Sequence, residues 1–92
     1  MTNTNMDNNN IRITGTKWYV DVEYGEYAAR FDGEMCIDGF YATVSSISWT
    51  KHPGEVKADD LSELVRAVMQ YNKKNAFKLY FCNDDGSKYS PS

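Results

Sequence analysis

Residues 60–69, Asp-Leu-Ser-Glu-Leu-Val-Arg-Ala-Val-Met, decide the fold, because no other stretch of the chain repeats its apolar residues at helical spacing. Leu61, Leu64, Val65, Val68 and Met69 stand at i, i+3, i+4, i+7 and i+8, a single stripe along one face of a helix. Asp60 reads as the N-cap, and Glu63 three residues on makes a capping-box-like start at the positive end of the helix dipole. Lys73, Lys74 and Asn75 supply a basic, helix-ending C-terminus. Burial of the stripe is worth roughly 7 to 15 kcal/mol of gross transfer free energy, most of it offset by chain entropy. One amphipathic helix cannot bury that stripe alone, so it needs a sheet.

Strand patterns surround it. Residues 11–14 alternate, and residues 18–22 do so more clearly, with Trp18, Val20 and Val22 on one face and Tyr19, Asp21 and Glu23 on the other. Tyr24-Gly25-Glu26 reverses the chain into residues 27–31, where Tyr27, Ala29 and Phe31 share a side, so the two runs read as a hairpin. Asp32-Gly33 and Asp38-Gly39 are turn dipeptides that bracket a very short strand at 34–37. Residues 40–49 are extended, yet the apolar parity shifts from Phe40, Ala42 and Val44 to Ile47 and Trp49. Such a shift requires a bulge or break near Ser45-Ser46. Residues 50–58 form a loop, and residues 76–82 resume strict alternation with Phe77, Leu79 and Phe81 on one side.

These elements add up to an α+β two-layer domain: an antiparallel β-meander of about five strands, one helix packed on one face, and a final strand returning to the sheet. A chain of 92 residues with 41% hydrophobic content supports one such domain, expected over residues 11–82. Residues 1–10 are almost all Thr, Asn and Asp, without the charged, apolar and small-residue regions of a signal peptide, and read as a disordered polar tail. Residues 83–92 are polar and turn-rich and are expected to fray. No apolar run approaches the roughly 18 residues that cross a bilayer, so a soluble cytoplasmic protein is expected.

Charge and chemistry narrow the function. The net charge of −3 comes from scattered residues, with Lys73-Lys74 the one basic pair, so no positive stripe marks a direct nucleic-acid partner. Cys36 and Cys82 lack C-x-x-C spacing and read as half-buried thiols in a reducing cytosol, a disulfide between neighbouring strands being the alternative. Lone His52 gives neither a metal set nor a recognisable base for either thiol, and residues 83–87 lack the acidic terminal ligand of a calcium loop. No catalytic residue, metal or cofactor is expected.

The chain is rich in aromatic residues, and Tyr19, Tyr41 and Tyr80 fall opposite the apolar runs. Tyr and Trp dominate binding hot spots, although such residues can also simply shield a thin sheet. Trp49 reads first as core and second as interface. The partner-binding surface is expected over Trp49, His52 and Glu55 in the loop after the longest strand, with Tyr41 and the Tyr19, Asp21 and Glu23 face beside it. An exposed edge strand near Ile11 could pair by β-augmentation, giving a monomer or a weak homodimer. The alternative is a regulatory module that senses a small molecule between helix and sheet.

Gly33-Glu34, Gly39-Phe40 and Ser45-Ser46-Ile47-x-Trp49 with Pro53 shortly after, then a helix and a strand from Phe77, make the chain resemble the immunity protein 74 family of bacterial polymorphic toxin systems. In such systems small cytoplasmic proteins protect the producing cell or its siblings from a cognate toxin domain. The resemblance, over roughly residues 11–81, implies toxin neutralisation by protein binding without a cofactor.

Overall fold

The computed structural model describes residues 11–75 and 77–91. The polar segment at 1–10, Ala76 and Ser92 lie outside the described residues. Six strands and one α-helix follow in order: β1 (Ile11–Gly15), β2 (Tyr19–Tyr24), β3 (Tyr27–Cys36), β4 (Gly39–Thr43), a 3₁₀ turn (Val44–Ser46), β5 (Ser48–Lys51), α1 (Ala58–Asn72) and β6 (Lys78–Cys82). The sheet runs β1-β2-β3-β4-β6, with β5 paired to β3. All pairings are antiparallel except β4 with β6, which is parallel because the chain crosses over through α1 before returning. This is the expected α+β domain with a returning last strand.

The core lies between α1 and one face of the sheet. Val22, Phe31, Leu64, Val65 and Val68 are its largest fully buried side chains, joined by Val20, Phe40, Leu79 and Phe81. Phe31 of the central strand β3 and Phe81 of the edge strand β6 meet edge to face at 5.0 Å across β4. Asp60 lies at the third helical position, not at the cap: its carboxylate accepts the Lys57 backbone N–H at 2.8 Å and the Tyr27 hydroxyl at 3.2 Å. The helix therefore starts one turn earlier than expected and is fastened to β3. Its buried stripe contains Leu64, Val65 and Val68, but Met69 is 42% exposed and Ser62 is buried in its place.

The Asp32-Gly33 pair, expected to turn, sits inside the ten-residue strand β3. The glycine is there for proximity, since a Cβ at Gly33 would fall 2.1 Å from the Tyr41 carbonyl oxygen and 2.9 Å from the Ala42 Cα. Residues 34–37 are accordingly no separate strand; the turn comes at Ile37-Asp38, between paired Cys36 and Gly39. The expected break at Ser45-Ser46 is the 3₁₀ turn. From Ala42, opposite Gly33, to Ser48, opposite Arg30, the chain advances six residues while β3 advances three. The odd excess moves Trp49 onto the helix side. Ser46 fixes this step, its hydroxyl accepting the Asp32 N–H at 2.8 Å and donating to the Thr43 carbonyl at 2.6 Å.

Two aromatic expectations fail. Trp18 is 71% exposed because β2 begins at Tyr19 and Trp18 lies in the bend before it, where alternation no longer applies. Phe77, one residue before β6, is exposed for the same reason.

The free edge of β6 is closed by side chains and by the chain that follows. Asn72 at the end of α1 copies a neighbouring strand, donating through Nδ2 to the Leu79 carbonyl at 2.8 Å and accepting the Leu79 N–H at 3.0 Å. Beyond β6, a hydrogen-bonded turn at Asn83 to Ser87 returns the chain so that Lys88 bridges Cys82, the Tyr89 N–H donates to the Phe81 carbonyl, and Tyr89 packs on the core. β1 has no such guard among the described residues, pairing there with β2 alone.

Candidate functional site

With α1 on one side, the other side of the sheet carries no second layer among the described residues. Strand alternation puts Tyr19, Asp21 and Glu23 of β2 on this open face, with Arg30, Asp32 and Glu34 of β3, Tyr41 of β4 and Tyr80 of β6.

At the β2 end the groups satisfy each other. Asp21 and Arg30 are directly opposite in register, and Arg30 donates from Nε at 2.8 Å and from Nη2 at 3.1 Å to the two carboxylate oxygens. The Arg30 guanidinium also lies 3.7 Å from the centre of the Tyr19 ring, a cation–π contact. Hydrogen bonding to Asp21 raises the Arg30 pKa further above its already high ordinary value. Glu23 stands opposite Arg12 of β1. Each acid of β2 thus has a basic residue facing it across the strands.

At the β4 end the aromatic groups face each other. Tyr41 and Tyr80 are in register across the parallel pair and their rings stack at 4.9 Å with 29° between planes. The Tyr41 hydroxyl donates to Asp38 at 3.0 Å, and this bond is the main cause of its raised pKa. Glu34 stands directly opposite Tyr41 on β3.

The expected interface residues divide accordingly. Tyr19, Asp21, Glu23 and Tyr41 come together on the open face. Trp49 is on the opposite side, half-buried against the core and edge to face with Tyr27 at 5.8 Å, the packing role that its first reading gave it. His52 and Glu55 are exposed in the loop after β5, where the His52 ring bonds the Gly54 carbonyl. They form one surface with neither Trp49 nor Tyr41 through any hydrogen bond or ring contact described. Glu34, Asp38 and Arg30 were missed as site residues. Glu34 escapes a count back from an Asp38-Gly39 turn, which would set Cys36 opposite Tyr41; the actual turn at Ile37-Asp38 sets Glu34 there.

The thiols of Cys36 and Cys82 are free, and Cys36 is exposed and not half-buried as expected. No group of three or more His, Cys, Asp and Glu side chains among the described residues could hold a metal ion. No helix there is long and apolar enough to cross a membrane. A cavity of about 410 Å³ opens between α1, β6 and the C-terminal return, lined on its apolar side by Val65, Met69, Leu79, Phe81 and Tyr89.

Fold and site therefore define a small α+β domain whose sheet presents tyrosines and carboxylates on an uncovered face. Residues 12–82 match the family model described as Immunity protein 74, and the chain belongs to that family. No curated protein and no solved structure gave a match.

Proposed function

We propose that this chain is an immunity protein that binds a cognate secreted toxin domain and neutralises it by occlusion, acting in the cytoplasm of the cell it protects, without catalysis or cofactor. The observation that carries this reading is the family match over residues 12–82, which takes in the helix and all of the sheet but Ile11. The open face supports it physically: Tyr19, Asp21, Glu23 and Tyr41 lie together on rigid strands, and aromatic groups held this way bury large area at little entropic cost. His52 and Glu55 extend the proposed contact at the loop after β5. A net charge of −3 favours encounter with a basic partner. The edge of β1, unpaired among the described residues, is consistent with a monomer or a weak homodimer through that strand.

Co-expression with the toxin domain encoded beside this gene tests the reading. Stable co-purification and rescued growth support it; a toxin that neither binds nor is suppressed overturns it. The 410 Å³ cavity favours a second reading, a small-molecule sensor, which predicts that an apolar ligand raises the melting temperature.

A further inference from the structure

The open face is unevenly balanced. Its β1–β2 half holds Arg12 opposite Glu23, and Arg30 bound to Asp21. Its β4–β6 half holds Glu34 opposite Tyr41 and Asp38 bonded to Tyr41, and among the described residues neither carboxylate makes an ion pair. Lys78 and Lys88 are the lysines of β6 and of the chain that follows it. The Lys78 ammonium donates to the backbone carbonyls of Asn72 and Asn75 at the end of α1. Lys88, at the rim of the cavity beside Tyr80, makes no ion pair or ring contact among the described residues.

The first half shows what such a constellation binds. A tyrosine ring and a carboxylate on neighbouring positions of this same sheet hold a guanidinium by stacking and bidentate hydrogen bonding. The second half repeats the ring and the acid, doubles the ring, and leaves the cation out. It also lies over the parallel β4–β6 pairing at one edge of the sheet.

We propose that the stacked pair Tyr41–Tyr80, flanked by Glu34 and Asp38, is a seat for an arginine side chain presented by the protein partner, and that it is the centre of the interface. This rests on the reading of the chain as a toxin-binding protein. The partner surface is accordingly cationic, and the guanidinium lies on the tyrosine rings while Glu34 or Asp38 accepts its N–H groups, as Asp21 does for Arg30.

The test has two arms. In the first, affinity for the toxin domain encoded beside the gene is measured for the native chain, Glu34→Lys and Tyr80→Ser, with circular dichroism confirming that each variant is folded. Both variants should bind at least about tenfold more weakly, as hot-spot substitutions do. Unchanged affinity for both overturns the seat while leaving the immunity function standing. In the second arm, the full chain is titrated with N-acetyl-arginine amide and with its neutral isostere N-acetyl-citrulline amide, followed by the NMR signals of the tyrosine rings. The arginine probe alone should shift Tyr41 and Tyr80 saturably, and Glu34→Gln with Asp38→Asn should abolish the response. Absent shifts, or shifts equal for the two probes, overturn the seat. If the toxin domain does not bind the native chain, the immunity reading falls, and the titration alone decides whether the seat exists.

Discussion

The two halves of the open face are built from the same residue types and end in different states. At β2 and β3, Tyr19, Asp21 and Arg30 close on one another, whereas at β4 and β6, Tyr41, Tyr80, Glu34 and Asp38 present rings and carboxylates with no partner cation among the described residues. The difference follows from register. Arg30 is directly opposite Asp21, while the residue directly opposite Tyr41 on β3 is another acid. A surface that has completed its own contacts gains little by binding, and one that has not can gain a great deal. That contrast is why the proposed arginine seat is placed at the β4–β6 end.

Removing the support shared by the halves should have the largest effect. Phe31 is fully buried, faces Val20 of β2 and touches the Phe81 ring of β6, so Phe31→Ala should cost about 3 to 5 kcal/mol in urea unfolding and loosen both halves alike. Gly33→Ala strikes the junction between them. A methyl group 2.1 Å from the Tyr41 carbonyl forces β4 away from β3, for a loss of about 1 to 3 kcal/mol. Hydrogen exchange should then speed up in β4 and β6 more than in β1 and β2. A uniform increase would mean that the halves are not mechanically separable.

Smaller changes sharpen the contrast. Arg30→Gln removes the internal cation from the first half, and because the pair is substantially exposed, with side chains 45% and 34% accessible, the urea midpoint should hardly move. Asp38→Asn acts on the second half and should be seen mainly in titration. In the fold the hydroxyl of Tyr41 keeps its proton to higher pH than a free tyrosine because it donates to Asp38. Its contribution to stability is therefore present in full below the ordinary tyrosine pKa of about 10 and is lost as pH rises through the folded pKa. The phenolate absorbance of Tyr41 should consequently appear at lower pH in Asp38→Asn.

Much of this architecture is legible in the residues themselves. The helical stripe from Leu61 to Val68, the hairpin reversal at Gly25-Glu26 and the parity break at Ser45-Ser46 are local signals, and each marks a real feature. Asp32-Gly33 misleads because glycine serves two ends, positive φ in a turn and close approach within a sheet, and only the neighbouring strand tells which. Trp18 and Phe77 mislead because alternation was extended past the ends of β2 and β6, and Met69 because its position on α1 lies at the margin of the buried stripe. In the candidate site, Tyr19, Asp21 and Glu23 are readable as one face of one strand. The Tyr41–Tyr80 stack is not, since it depends on a parallel register set by packing of the intervening helix.

If the open sheet face meets the toxin, as proposed, a footprint of the complex will show it. Tyrosine-ring NMR signals and amide hydrogen exchange would be compared for the chain alone and bound to the toxin domain. The account predicts perturbation centred on Tyr41 and Tyr80, extending across Glu34 toward Tyr19, with the exposed side of α1 around Arg66 and Gln70 unchanged. A footprint confined to α1, leaving the tyrosines as they are in the free protein, would contradict it.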